Sequence, residues 1–210
     1  TATGSGTDYT LSSSTITISA GSTTGTTTVT AVQDALDEDD ETVIVDVSSV
    51  INATESSTQQ VTITITDDDA PPVLTIAAGN TTIAEFGGVS TITATLDAAS
   101  GKDVTVTLSA SGTATGSGTD YTLSSSTITI SAGSTTGTAT VTAVQDALDE
   151  VDETVVVDVS SVTNATESGD QQVTITITDD DALVIIAVDN SSISETGGKA
   201  KVTISISFTH

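Results

Sequence analysis

The stretch TATGSGTDYTLSSSTITISAGSTTGT that begins at Thr1 returns unchanged from Thr113, an offset of 112 residues. The register holds to the acidic runs, Asp67 to Asp69 against Asp179 to Asp181. Further on, NTTIAEFGG from Asn80 matches NSSISETGG from Asn190 at an offset of 110, the difference being Pro71 and Pro72. A period this long exceeds the roughly 20 to 50 residues of solenoid repeats and suits a sandwich-sized domain, so whatever fold one copy takes the others must share. The period makes 71–182 a complete copy, 1–70 the back part of a preceding one and 183–210 the front part of a following one. His210 aligns with Ser100 and Thr1 with Thr113, so the two partial copies together lack only the counterpart of Gly101 to Gly112, which includes the strand-like VTVTLSA. Two explanations stay open: a window of a longer repetitive chain, or a subunit whose front strands complete the sheet of an identical neighbour head to tail.

Within each copy, β-branched and polar residues alternate in STITIS, TTTVTAV, TVIVDV and VTITIT, separated by Gly, Asp, Asn and Ser clusters. In the complete copy this predicts strands near 73–77, 81–84, 89–97, 103–110, 126–131, 137–145, 154–160 and 171–178, with no helix. Ser and Thr make up about a third of the chain and aromatics 2%, so the core is expected to be small β-branched side chains between two sheets with Thr turned outward. The predicted class is all-β, an immunoglobulin-like Greek-key sandwich repeated in tandem.

Charge narrows the function. Against 29 Asp and Glu stand 3 Lys and Arg, a formal net charge of −26. Nucleic acid and anionic membrane surfaces are repelled by such a chain, no apolar run is long enough for membrane insertion, and self-repulsion on this scale calls for bound cations. Thr1 is not an initiating residue, which leaves any export signal outside this stretch. With no Cys and His210 as the single histidine, neither a catalytic triad nor a zinc site can be assembled, and the chain is read as a non-enzyme with no organic cofactor. GTATGSGT lacks the Lys and helix of a phosphate cradle and reads as a turn ahead of Tyr121; Tyr9 and Tyr121 read as packing anchors. Asn52, Asn80, Asn164 and Asn190 each open an N-x-Ser/Thr triplet, a glycan acceptor in a suitable secretory pathway.

The carboxylates gather in turns: Asp120, then Asp146 to Glu153, then Asp179 to Asp181, with Glu85 near the front. Hard cations such as calcium take six to eight oxygens, commonly from carboxylates on such turns. The alternative is a solvated acidic loop that keeps a β protein soluble and blunts its edges.

The motifs IAEFGG and ISETGG, GTATGSGTDYTL, ISAGSTTGTATVTAVQDALDEVDETVVV and the closing VTITITDDD resemble the Calx-β family, found in sodium–calcium exchangers, integrin β4 and very large bacterial surface proteins. The resemblance covers all three copies. It implies Ca2+ ligands at Glu85, Asp120, Asp146, Glu150, Glu153, Asp179, Asp180 and Asp181 in the complete copy. In the preceding copy it implies Asp8, Asp34, Glu38, Glu41, Asp67, Asp68 and Asp69, and Glu195 in the following one. Gln145 and Ala147 stand where calcium-rich members carry further Asp, which implies fewer ions than those members hold. The expected function is a structural calcium-binding module of an extracellular, cell-surface rod, fibre or adhesin, with ions stiffening the junctions beside Asp69 and Asp181. A filament subunit joined by strand complementation and a calcium sensor are the alternatives. The expected partners are neighbouring repeats or identical subunits.

Overall fold

The alternation along the chain is expressed as strands, and the computed structural model, which describes residues 1–4 and 6–207, contains no helix among them. His210 lies outside the described residues. The leading segment carries β1 (Tyr9–Leu11), β2 (Val29–Ala31), β3 (Glu41–Asp46) and β4 (Gln60–Ile65). The complete repeat carries β5 (Val73–Ala78), β6 (Thr82–Ala84), β7 (Val89–Leu96), β8 (Val104–Gly112), β9 (Tyr121–Leu123), β10 (Thr127–Ile130), β11 (Thr136–Ala143), β12 (Glu153–Thr163), β13 (Thr166–Glu167) and β14 (Gln172–Thr178). The trailing segment carries β15 (Leu183–Val188) and β16 (Val202–Ser207).

In the complete repeat two five-stranded sheets face one another, one ordered β10-β8-β12-β14-β6 and the other β13-β5-β7-β11-β9. The period of two puts every second side chain between them. Ile92, Ala94 and Leu96 of β7, Val104, Val106 and Leu108 of β8, Val155 and Val157 of β12 and Ile175 of β14 interlock in one core with Leu74 and Ile128. Thr residues fill the alternate positions, as in the ladder Thr95–Thr136 and Thr93–Thr138 between β7 and β11. The sequence missed β9 and β13, which at 3 and 2 residues are too short for alternation to register. Tyr121 opens β9 and is buried, its hydroxyl lying where a Cβ on Gly116 would intrude. Asn164 turns the chain after β12 at a positive φ of 62° and donates its amide to the Asp103 carbonyl at 2.8 Å.

Identical sequence does not give identical structure. Thr127–Ile130 pairs along its length with β8, and Ile128 and Ile130 are 2% and 1% exposed. The same residues at 15–18, predicted as a strand, form none; Ile16 and Ile18 are 50% and 55% exposed. Among the described residues no strand lies beside 15–18 as β8 lies beside Thr127–Ile130, so those backbone groups have no ladder to join. Likewise β11's eight residues, paired with β7 and β9, shrink to three in β2, which has only β1 beside it among the described residues. The eleven of β12, paired with both β8 and β14, shrink to six in β3, which among the described residues is paired with β4 alone.

The leading segment is fastened to the complete repeat through the turn that follows β7. Ser100 Oγ and the Gly101 N–H both donate to the Asp37 carbonyl, at 3.2 and 3.1 Å, and Lys102 Nζ lies 2.9 Å from Asp37 Oδ1. Ser100 and Asp37 are both buried by this contact. Lys102 Nζ also donates to the Glu38 carbonyl at 3.4 Å.

Candidate metal centre

At the end of the complete repeat where β6 finishes and β14 runs out, four turns bring their carboxylates together. Glu85 follows β6, its N–H bonded to the Thr178 carbonyl at 3.0 Å, and its Oε1 accepts from the Asp146 N–H at 2.8 Å. Asp146 shapes its own loop by accepting the Leu148 N–H at 2.7 Å, a local Asx turn. Asp120 is held by the Thr115 N–H on its carboxylate and by its own N–H to the Thr115 carbonyl at 2.9 Å. Glu153, expected in a turn, is the first residue of β12.

These positions make two triads, Glu85 with Asp146 and Asp181, and Asp120 with Glu150 and Glu153, each with oxygens within 4.8 Å of one another. Asp179 joins Glu85, Asp120, Glu150 and Glu153 around one hollow whose apolar floor is Val144 and Ile177. The residue is 9% exposed with both carboxylate oxygens buried, and among the described residues neither oxygen has a hydrogen-bond partner. Asp180, also among the expected ligands, is exposed and belongs to neither triad.

Crowding is visible in the protonation equilibria. Burial pushes the Glu153 carboxyl up to about 7, helped by the hydrogen bond its protonated form gives to Asp120 and by the charges of Asp120, Glu150 and Glu85. Burial raises Glu85 too, against the stabilising Asp146 N–H, with Asp146, Asp179 and Asp181 adding repulsion. Glu150 and Asp181 move in the same direction, first through loss of water and then through their acidic neighbours. Among the described residues the two ion pairs, both of Lys102, involve neither Glu85, Glu153 nor Asp181, and crowded carboxylates of this kind favour a proton or a hard metal ion.

The leading segment gathers Asp8, Asp34, Glu38, Glu41 and Asp67 to Asp69 around one shallow hollow, but among the described residues it forms no triad of the same tightness. Glu38 lies against Gly101 of the next repeat, where a Cβ would meet its side chain. Glu195 is exposed in the trailing segment, apart from any triad. Two further side chains at the site, and one pair at the domain junction, carry no local signal in the sequence. Gln145 Nε2 donates to Asp181 Oδ2 at 3.2 Å, so the residue in place of an expected Asp orients a ligand candidate. Asp152 Oδ1 accepts from the Asp179 N–H at 3.3 Å. The Asp37–Lys102 pair was invisible because its residues lie 65 positions apart.

Comparison with known proteins agrees with this architecture. The Calx-beta domain model matches residues 1–69 and 67–181. Among solved structures, the CBD12 structure from CALX1.2 aligns with a TM-score of 0.47 and 20% identity over 57% of this chain and 49% of that one. The apo-form Calx CBD1 domain aligns at 0.45 and 18% over 53% of this chain and 100% of that one. The chain thus spans about half the length of the CBD12 chain it matches. Among curated proteins nothing matches. Two adjacent matches that cover nearly the whole sequence, on an all-β sandwich with carboxylates gathered at one end, place the chain in the Calx-beta domain family, a family of calcium-binding modules and not of enzymes.

Proposed function

We propose that the chain is a structural calcium-binding module of an extracellular surface rod, fibre or adhesin, in which calcium holds each sandwich together at its carboxylate end and limits the bending of one repeat on the next. The observation that carries this reading is Asp179: a residue 9% exposed, its two buried carboxylate oxygens without a hydrogen-bond partner among the described residues, in a hollow lined by Glu85, Asp120, Glu150 and Glu153. Leaving an ionised group so placed without a counter-ion is expensive, and an all-oxygen donor set is what calcium prefers over softer metals. Glu85, Asp146 and Asp181 would hold one ion, and Asp120, Glu150, Glu153 and Asp179 a second. Calcium supplies charge neutralisation and cross-links turns that otherwise repel.

The rod reading is supported by near-identical copies and by the fastening of loop 34–41 onto the turn at Ser100 to Lys102, which joins an acidic loop to the next domain's frame. An ion bound only by the folded state adds about 2.7 kcal/mol at one hundred times its dissociation constant. Titration calorimetry of the 210-residue chain tests the reading. Dissociation constants of about 10⁻⁴ to 10⁻³ M agree with an extracellular structural module, values near 10⁻⁶ M or below point to a cytosolic sensor, and absence of binding overturns both.

A further inference from the structure

Each carboxylate of the triad Glu85, Asp146 and Asp181 is held through one oxygen by a protein N–H. Glu85 Oε1 accepts from the Asp146 N–H at 2.8 Å, Asp146 Oδ1 from the Leu148 N–H at 2.7 Å, and Asp181 Oδ2 from Gln145 Nε2 at 3.2 Å. The first two donors are backbone groups, which any residue but proline would supply. The third depends on the side chain being glutamine. The same amide donates to the Asp146 carbonyl at 3.0 Å, so it bridges the loop that carries Asp146 to the acidic run after β14. Both partners are acceptors, which sets the amide with its nitrogen toward them. We propose that Gln145 is a positioning residue of the metal site: it clamps Asp181 to the Asp146 loop before an ion arrives, doing with a neutral amide what a further cation would otherwise do.

The bridge forms twice. Gln33 Nε2 donates to the Asp34 carbonyl and to Asp68 Oδ1, both at 3.1 Å. At the offset of 112 these three residues are the counterparts of Gln145, Asp146 and Asp180, so the link from loop to Asp run recurs with its acceptor taken from a neighbouring position of the run. A carbonyl and a carboxylate oxygen that converge on one point are also part of a calcium shell, where they would lie roughly 2.3–2.6 Å from the ion. An amide nitrogen in that place brings two donors and no charge, and keeps the loop and the run joined in the absence of metal.

That role rests on the calcium reading above and makes the triad a preorganised site whose affinity depends on a residue that touches no ion. A carboxylate already held loses less freedom when it binds. Partners that orient metal ligands change affinity by about 10- to 100-fold when they are removed. Asp179, in the neighbouring hollow, has no such donor among the described residues, so one ion and not both should depend on Gln145.

Calcium titration calorimetry, paired with thermal melts in chelator and in saturating calcium, tests this on the 210-residue chain and on its Gln145→Met and Gln145→Glu variants. Gln145→Met keeps the length and removes the donor. It should bind as many ions as the unsubstituted chain, one of them about 10-fold or more weaker, and melt lower in chelator. Gln145→Glu sets a carboxylate oxygen between the two acceptors. It should melt lower still in chelator, recover in calcium and bind one ion more. A merely structural part for Gln145 would lower both melts of each variant equally and leave the isotherms alone, and that result overturns the proposal. So does a Gln145→Met chain that binds every ion as before, or a Gln145→Glu chain with no added ion and no larger gain from calcium. A Gln145→Glu chain that folds only in calcium upholds it. No calcium binding by the unsubstituted chain overturns the calcium reading, while lower melting of Gln145→Met in chelator still upholds the clamp.

Discussion

At the scale of single residues, the carboxylate end is governed by the balance between repulsion and cation. Glu153 has a folded pKa near 7 against an ordinary value of 4.5, so between those limits the folded chain holds more protons than the unfolded one. Stability without metal therefore falls as pH rises from about 4.5 to 7, and Glu85 and Glu150 shift in the same sense. Melting in chelator is expected to be higher at pH 5 than at pH 7.5, and calcium should remove or reverse that slope. Glu153→Gln should raise the chelated melting temperature and shrink the gain from calcium, both read from paired thermal melts. Lys102→Ala leaves Asp37, 5% exposed, with neither oxygen paired, at a cost of about 1 to 3 kcal/mol to the docking of loop 34–41. Spin-label distances across the junction should broaden in that variant. The carboxylates of this site were legible in sequence because they recur at fixed repeat positions. Asp37 with Lys102 was not, because a contact between loops of different domains has no local spacing to read.

Elements in this protein depend on their neighbours more than on their own residues. The two TITI segments differ in their neighbours: Thr127–Ile130 has β8 beside it and is a strand, whereas 15–18 has no strand beside it among the described residues and is not. Burying two Ile side chains is worth about 1.5 to 3 kcal/mol each, which outweighs the intrinsic strand preference of four residues. Amide exchange by NMR should therefore find 127–130 protected and 15–18 exchanging freely. Gly112, at the end of β8, has a φ of 125°, and a Cβ there would run into the Thr154 carbonyl oxygen. Gly112→Ala should destabilise the complete repeat by about 2 kcal/mol or more, seen as a lower midpoint in denaturant. The bulge between Val159 and Ser161 in β12 belongs to the same class of detail: its register shift against β8 follows from sheet twist and pairing, not from the alternation of Val and Ser.

For the whole molecule the governing quantity is a net charge of −26 spread over repeats whose acidic turns lie at one end. Removing calcium should lower the melting temperature of the complete repeat by roughly 4 °C or more for each kcal/mol of ion stabilisation lost, with scanning calorimetry as the check. Adding monovalent salt screens exposed repulsion but not the partly buried Glu85, Glu153 and Asp179, so high salt should restore only part of what calcium provides.

The repeat period, the all-β class, the inward Val and Ile and outward Thr, and the family follow from local alternation and from residues recurring at fixed offsets, both of which a linear sequence records. Which of the carboxylates meet is a different matter. Asp179 turns inward while its neighbour Asp180 faces out, Gln145 reaches Asp181, and Ser100 to Lys102 close on Asp37. Those outcomes depend on where separate loops arrive in space. Most tellingly, the sequence writes one TITI strand twice, and only tertiary structure decides that one copy is a strand and the other is not, because a strand's hydrogen bonds and its buried face both belong to its neighbours.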